Sequence, residues 1–427
     1  MVVQSQTMTI PRRYLLVSWL FVLSAIAYLD RTNISIAGLA IGSEFHVNNT
    51  RLGWVFSAFL IGYAVCQVPA GLVVHRFGSR QVLAFAAGWW AVFTVLTAVV
   101  PPGLAESVLL LVLVRLGLGV GEAAMYPATS HFVERWFPAG ERGRANGIIF
   151  AGVGAGSGLT PPLVTAIIAA YGWRASFWFS AAVGLAAGTI WYVIARDCPP
   201  HPVLTSGFPH AVGSLGVDEA SPNVALSARL SRASWMRVLW QRDVLALTVS
   251  YFTFGYVAWV FFAWFYIYLA QVRGLNLKAS ALYSTLPFLC MTVGCLGGGA
   301  LSDALAIRFG RYLGRCVLSA AMMSLTAVLL LVGSAADSAQ VAGLVLAAGA
   351  GTLYIGQSSF WAVGAEVGGE YSSVTCGLMN MGAQIGGAVT ASLTPIIAAH
   401  YGWHVPFVVA AGLALLGAGC WLCVRRA

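Results

Sequence analysis

The stretch AIAYLDRTNISIAGLA, residues 25–40, sets Asp30 and Arg31 side by side in an otherwise apolar run. A second run, RLGLGVGEAAMYPA at 115–128, carries Arg115 and Glu122. A carboxyl group taken out of water is suited to picking up and releasing a proton. A guanidinium offers a planar fork that matches a carboxylate. The four residues together could therefore bind an anion and handle protons. Their setting is costly. A charge at the middle of a bilayer costs about 2.5–3.5 kcal/mol on the lenient insertion scales, so an unpartnered neighbouring pair costs roughly 5–7 kcal/mol.

Helical geometry limits who can partner whom. At about 100° per residue, Arg115, Glu122 and Tyr126 fall within roughly 40° of one another, with the two charges about 10 Å apart along the axis. Tyr28, Arg31, Thr32 and Ser35 share one arc, while Asp30 and Asn33 point roughly 100° or more away. Asp30 and Arg31 cannot serve the same neighbour. Asp30 and Arg115 lie at similar depth, so Asp30 is expected to face Arg115 and Arg31 to turn toward a cavity. Glu122 then has no cation at its own depth. Mutual neutralisation alone would glue helices, but the repeat counterparts of Arg115 and Glu122 are Val345 and Thr352. Charges confined to one half fit an ion or proton pathway better. Further along, Tyr354, Gln357 and Trp361 share a face, with Ser358 beside them and Asn380 on the next span.

Other motifs carry less. GVGAGSG at 152–158 has no strand before it and lies inside an apolar span, so helix packing explains it better than phosphate binding. The seven histidines stand at or outside span ends without ligand spacing, so no metal and no cofactor is expected. No serine or cysteine has a base in the same layer, which argues against hydrolysis and against an enzyme.

The elements that must position these residues are membrane spans. The chain has 427 residues, is 59% hydrophobic and only 9% charged, with a mean hydropathy of +0.82. Twelve apolar stretches are each long enough to cross a bilayer: 14–37, 52–74, 82–100, 107–130, 145–168, 176–195, 244–268, 281–302, 316–334, 341–364, 374–397 and 405–424. Of the 23 Lys and Arg residues, 17 fall on the side of the N-terminus, four on the other side and two within spans. This bias predicts both termini in the cytoplasm and accounts for the +9 charge without nucleic acid. Continuation of the apolar character past residue 40 argues against a cleaved signal peptide. Of the eight cysteines only Cys420 and Cys423 have CxxC spacing, a single pair at the end of the last apolar span, so neither a disulfide framework nor a zinc site is indicated.

The chain divides into residues 1–195, a polar loop at 196–243, and residues 244–427. In the loop, Leu226, Leu230 and Trp235 alternate with Arg229, Arg232 and Arg237, as a helix on the inner leaflet or a solvated linker would. The flanking halves repeat at an offset of 230: Gly147, Gly152, Gly156, the YGW of 171–173 and Phe177 recur as Gly377, Gly382, Gly386, 401–403 and Phe407. The expected fold is an all-α polytopic membrane protein, with twelve transmembrane helices in two pseudo-symmetric six-helix bundles and a site between them near the midplane.

The duplication, GLVVHRFGSR at 71–80 and RLGLGVGEAAMYPA resemble the major facilitator superfamily, and YLDRTNISIA at 28–37 with Arg115 and Glu122 is similar to its anion:cation symporter branch. The resemblance implies import of a small organic anion, such as a hexonate, hexuronate or aldarate, driven by protons across the cytoplasmic (inner) membrane by a monomer. It implies Asp30 and Glu122 as proton-coupling carboxylates, Arg31 as the ligand of the substrate carboxylate and Arg115 as a charge partner. Tyr28, Gln357, Ser358, Trp361 and Asn380 would line the substrate site. One departure stands out: His75 replaces the acid usual in the first loop motif, whereas the second copy keeps Asp303. An uncoupled uniporter and a non-transporting nutrient sensor would carry the same motifs. A cation exporter is opposed by Arg31.

Overall fold

The computed structural model describes residues 12–103, 106–137, 139–197, 240–369 and 372–424. The basic stretch around Leu226 and Arg237 lies outside these residues, as does the side chain of His75. The described residues are helical throughout the bundles. Helix α1 runs Arg12–Glu44, α2 Asn49–Val99, α3 Ser107–Glu122, α4 Met125–Trp136, α5 Ala139–Tyr171 and α6 Trp173–Ile194. The second half comprises α7 Arg242–Ala263, α8 Leu277–Phe309, α9 Leu318–Ala335, α10 Ala339–Ile355, α11 Gln357–Gly368, α12 Ser372–Tyr401 and α13 His404–Leu422. Among the described residues, eleven helical segments are long and apolar enough to cross a membrane.

Several spans end differently from the sequence-based expectation. The second and third form one long α2, broken where Gly78 takes φ 81°, a conformation that glycine tolerates without a Cβ clash. The fourth divides at Ala123–Ala124 into α3 and α4, and the tenth divides at Gly356 into α10 and α11. The seventh breaks at Trp264 and continues through a short helix into a π-helical turn at Tyr268–Val272.

Of the repeat glycines, Gly152, Gly156, Gly382 and Gly386 serve close approach, whereas Gly147 and Gly377 have open space beside them. In α5, a Cβ on Gly156 would lie 2.1 Å from the carbonyl oxygen of Ala25 on α1; in α12, one on Gly386 would lie 2.1 Å from that of Phe252 on α7. Each half thus packs its fifth span against its first through a glycine, as small residues allow in membrane helices. The run at 152–158 serves this seam through Gly152 and Gly156 and faces α8 of the other half through Gly154 and Gly158, beside Thr292 and Leu289. The halves meet through α2 against α12 and α5 against α8. Hydrogen bonds between them cluster toward the α1–α2 turn: Ser57 Oγ donates to the Ala388 carbonyl at 2.7 Å, and Asn49 Nδ2 to Gln271 Oε1 at 3.0 Å.

Candidate functional site

The charges of the first half meet in a pattern that corrects the wheel argument. Arg31 does not stand free in a cavity. Its Nε donates to Glu122 Oε2 at 2.6 Å, and both side chains are buried, with 1% and 0% exposure. Glu122 therefore has a cation, supplied by α1 rather than by its own helix. The reason is the packing of α3 along α2, which α1 also meets. It swings the last residue of α3 under Arg31, and the wheel fixes direction on one helix but not the depth of another.

Asp30 points the other way, as its position on the arc required. Its Oδ2 accepts from Thr94 Oγ1 at 2.8 Å. Arg115 exerts the largest attraction of any charge on Asp30, ahead of Arg31, although no hydrogen bond or ion pair joins the two. The Phe59 ring lies between the cations, 5.3 Å from the Arg31 guanidinium carbon and 5.2 Å from that of Arg115. Tyr28 and Tyr63 complete an aromatic sleeve around Arg31, at 4.7 and 4.6 Å. Such contacts stabilise a desolvated cation by roughly 2 kcal/mol.

Buried polar atoms without a hydrogen-bond partner include Arg31 Nη2 and Glu122 Oε1 of this pair, Tyr63 Oη beside it, Asp30 Oδ1 and Arg115 Nε and Nη1 of the neighbouring charges, and Gln67 Oε1 one turn beyond Tyr63 on α2. Each such atom costs about 1–3 kcal/mol, and a group of them calls for an explanation. A polar guest that satisfies them on arrival is one. Tyr63 and Gln67 are absent from the sequence-based set. Their signal was a lone amide in an apolar span, with a tyrosine one turn before it.

The second half contributes rings and amides. Gln357 Nε2 donates to Tyr251 Oη at 2.9 Å, leaving Gln357 Oε1 and Ser358 Oγ without partners. Trp361 touches Tyr251 at a ring separation of 6.3 Å and reaches across to Phe150 of the first half at 6.1 Å. Phe150 in turn stacks on Tyr126 at 5.1 Å. Tyr28 packs 5.7 Å from Phe262 of the second half. Tyr28 and Arg31 of the first half and Gln357 and Trp361 of the second thus flank the join between the halves, while Ser358 lies against Gly299 of α8. Asn380 sits half-buried on α12 and takes no part in these contacts. Among the described residues, no cluster of three or more His, Cys, Asp or Glu could hold a metal ion.

The two acids and two arginines sum to zero charge. What the arrangement can do chemically is exchange partners: an incoming carboxylate can take Arg31 from Glu122, and a proton on Glu122 balances the added charge.

The sequence profile of the Major Facilitator Superfamily matches residues 20–375. The probable sulfoacetate transporter SauU of Cupriavidus necator is 31% identical over 415 residues, covering 96% of this chain and 93% of that protein. The probable galactarate/D-glucarate transporter GudP of Escherichia coli (strain K12) is 28% identical, covering 88% of this chain and 85% of its own. Among solved structures, a crystal structure of a bacterial homologue of the human lysosomal transporter Spinster, inward-facing and unoccupied, superposes with a TM-score of 0.75 at 16% identity, covering 97% of each chain. That likeness establishes the fold. The family and these relatives are transporters, not enzymes.

Proposed function

The chain belongs to the major facilitator superfamily, among relatives that carry anions, and we propose that it is a proton-coupled symporter importing an organic anion by alternating access. The observation that carries this reading is the buried Arg31–Glu122 pair, which leaves Arg31 Nη2 and Glu122 Oε1 unsatisfied inside a cluster of zero net charge. An anion carboxylate entering between the halves bonds to Nη2 and then displaces Glu122 from Nε, forming the bidentate fork. Displaced and still ionised, Glu122 would stand as a buried charge without a partner, an arrangement that costs several kcal/mol. A proton on Glu122 removes that cost. Anion and proton therefore load together, and a state holding either alone is disfavoured.

Asp30 is the second proton-coupling carboxylate; its protonation removes the charge that attracts Arg115 and leaves the Arg31–Glu122 pair in place. Tyr28, Gln357, Ser358, Trp361 and Asn380 hold the body of the anion, which on the sequence resemblance is a sugar acid, and Tyr63 and Gln67 join them. The bundles 1–195 and 244–427 rock as units joined by 196–243. The protein works as a monomer in the inner (cytoplasmic) membrane with both termini in the cytoplasm.

Uptake into proteoliposomes tests the reading. An inward proton gradient should drive accumulation of a radiolabelled sugar acid above its external concentration, and a protonophore should abolish the excess. Equilibration that ignores the protonophore would make the protein a uniporter, and binding without flux would make it a sensor.

A further inference from the structure

The two halves differ sharply in the charge they can offer a guest. In the first half, Arg31 Nη2 is an unpartnered, buried guanidinium nitrogen on the side of Tyr28, which packs against Phe262 of the second half; Arg115 has two more, Nε and Nη1, on the far side of Phe59. Arg115 lies behind the Phe59 ring, is 1% exposed and is drawn to Asp30. In the second half, the sequence holds no Asp, Glu, Lys, Arg or His at 244–272, 279–302, 316–335, 339–365 or 372–399. The guest's far end therefore meets no cation at all.

What it meets instead is specific. Gln357 has its amide nitrogen engaged by Tyr251 and presents Oε1, an acceptor. Ser358 adds one free hydroxyl, and the faces of Trp361 and Tyr354 supply apolar wall. A hydroxyl on the guest can donate to Gln357 Oε1. A second carboxylate can only accept, so it would depend on neutral donors alone, the second amide N–H of Gln357 and the Ser358 hydroxyl, in a region without a cation, where a charge left unpaired is expensive.

Resting on the organic-anion reading above, we infer that the cargo carries a single negative charge. One carboxylate takes Arg31, and a neutral, hydroxyl-bearing body fills the space against Gln357 and Ser358. The transporter thus accepts monocarboxylates and rejects dicarboxylates of the same length.

Matched pairs test this on the purified full-length protein at neutral pH, where both acids are fully ionised. D-Gluconate against D-glucarate, and D-galactonate against galactarate, differ only in one terminal group. In thermal-shift titrations, at least one monocarboxylate should stabilise the protein, and its dicarboxylate partner should need about 10-fold higher concentration or more. A dicarboxylate that binds as tightly as its partner, or more tightly, overturns the single-charge inference and leaves the organic-anion reading standing. If no member of either pair shifts the melting temperature, the sugar-acid reading itself fails and takes this inference with it.

Discussion

Replacing Glu122 by Gln isolates the exchange step on which coupling depends. Glutamine keeps the length and the side-chain oxygen that accepts from Arg31 Nε, now 2.6 Å away, but removes the charge and the proton site. In the wild type, a substrate carboxylate must displace a charge-assisted hydrogen bond between fully buried groups. Such bonds contribute about 1.5–3 kcal/mol. Without that competitor, the anion should bind about 10- to 100-fold more tightly, at about 1.4 kcal/mol per factor of ten. The sign of the pH dependence follows from the same exchange. Protonated Glu122 does not compete for Arg31, so wild-type affinity should fall as pH rises, while the Gln variant's affinity should stay flat. Isothermal titration of the purified proteins from mildly acidic to mildly alkaline pH reads both effects. In proteoliposomes the variant should retain counterflow exchange and lose accumulation driven by a proton gradient. A Glu122→Gln protein with wild-type affinity and wild-type pH dependence would refute the partner exchange. Accumulation at the wild-type level would move coupling to Asp30 or away from these four residues.

Two further outcomes follow from the site and the topology. Arg31→Lys retains the positive charge but not the fork, nor the flat face that Tyr28 and Tyr63 enclose; affinity measured in the same titration should drop by a factor of about 10–100, and unchanged affinity in this variant would make Arg31 a purely structural cation. A single cysteine introduced near Asn48 should react with a membrane-impermeant maleimide only from outside the cell, and one near Asp218 only from the cytoplasmic side, with the reverse pattern overturning the orientation read from the 17-to-4 bias of basic residues.

The sequence by itself determined the architecture and which residues carry charge. Apolar runs of span length need no tertiary information to be recognised, because a bilayer imposes both their length and their lack of charge. The offset of 230 likewise anticipated equivalent seams, and Gly156 and Gly386 indeed bring the fifth span of each half against the backbone of the first. Asp30, Arg31, Arg115 and Glu122 were conspicuous because charge is rare and costly in such spans. Their pairing was another matter. A helical wheel gives the direction of each side chain about its own axis, and it separated Asp30 from Arg31 correctly. It does not give the axial offset between helices, and only the packed arrangement of α1, α2 and α3 set Glu122 against Arg31 and Thr94 against Asp30. Tyr63, Gln67 and Tyr251 were hidden for a related reason. In a span that is apolar on every side, a tyrosine facing the site reads the same as one facing the core, and the difference arises only when the two halves come together around Tyr28.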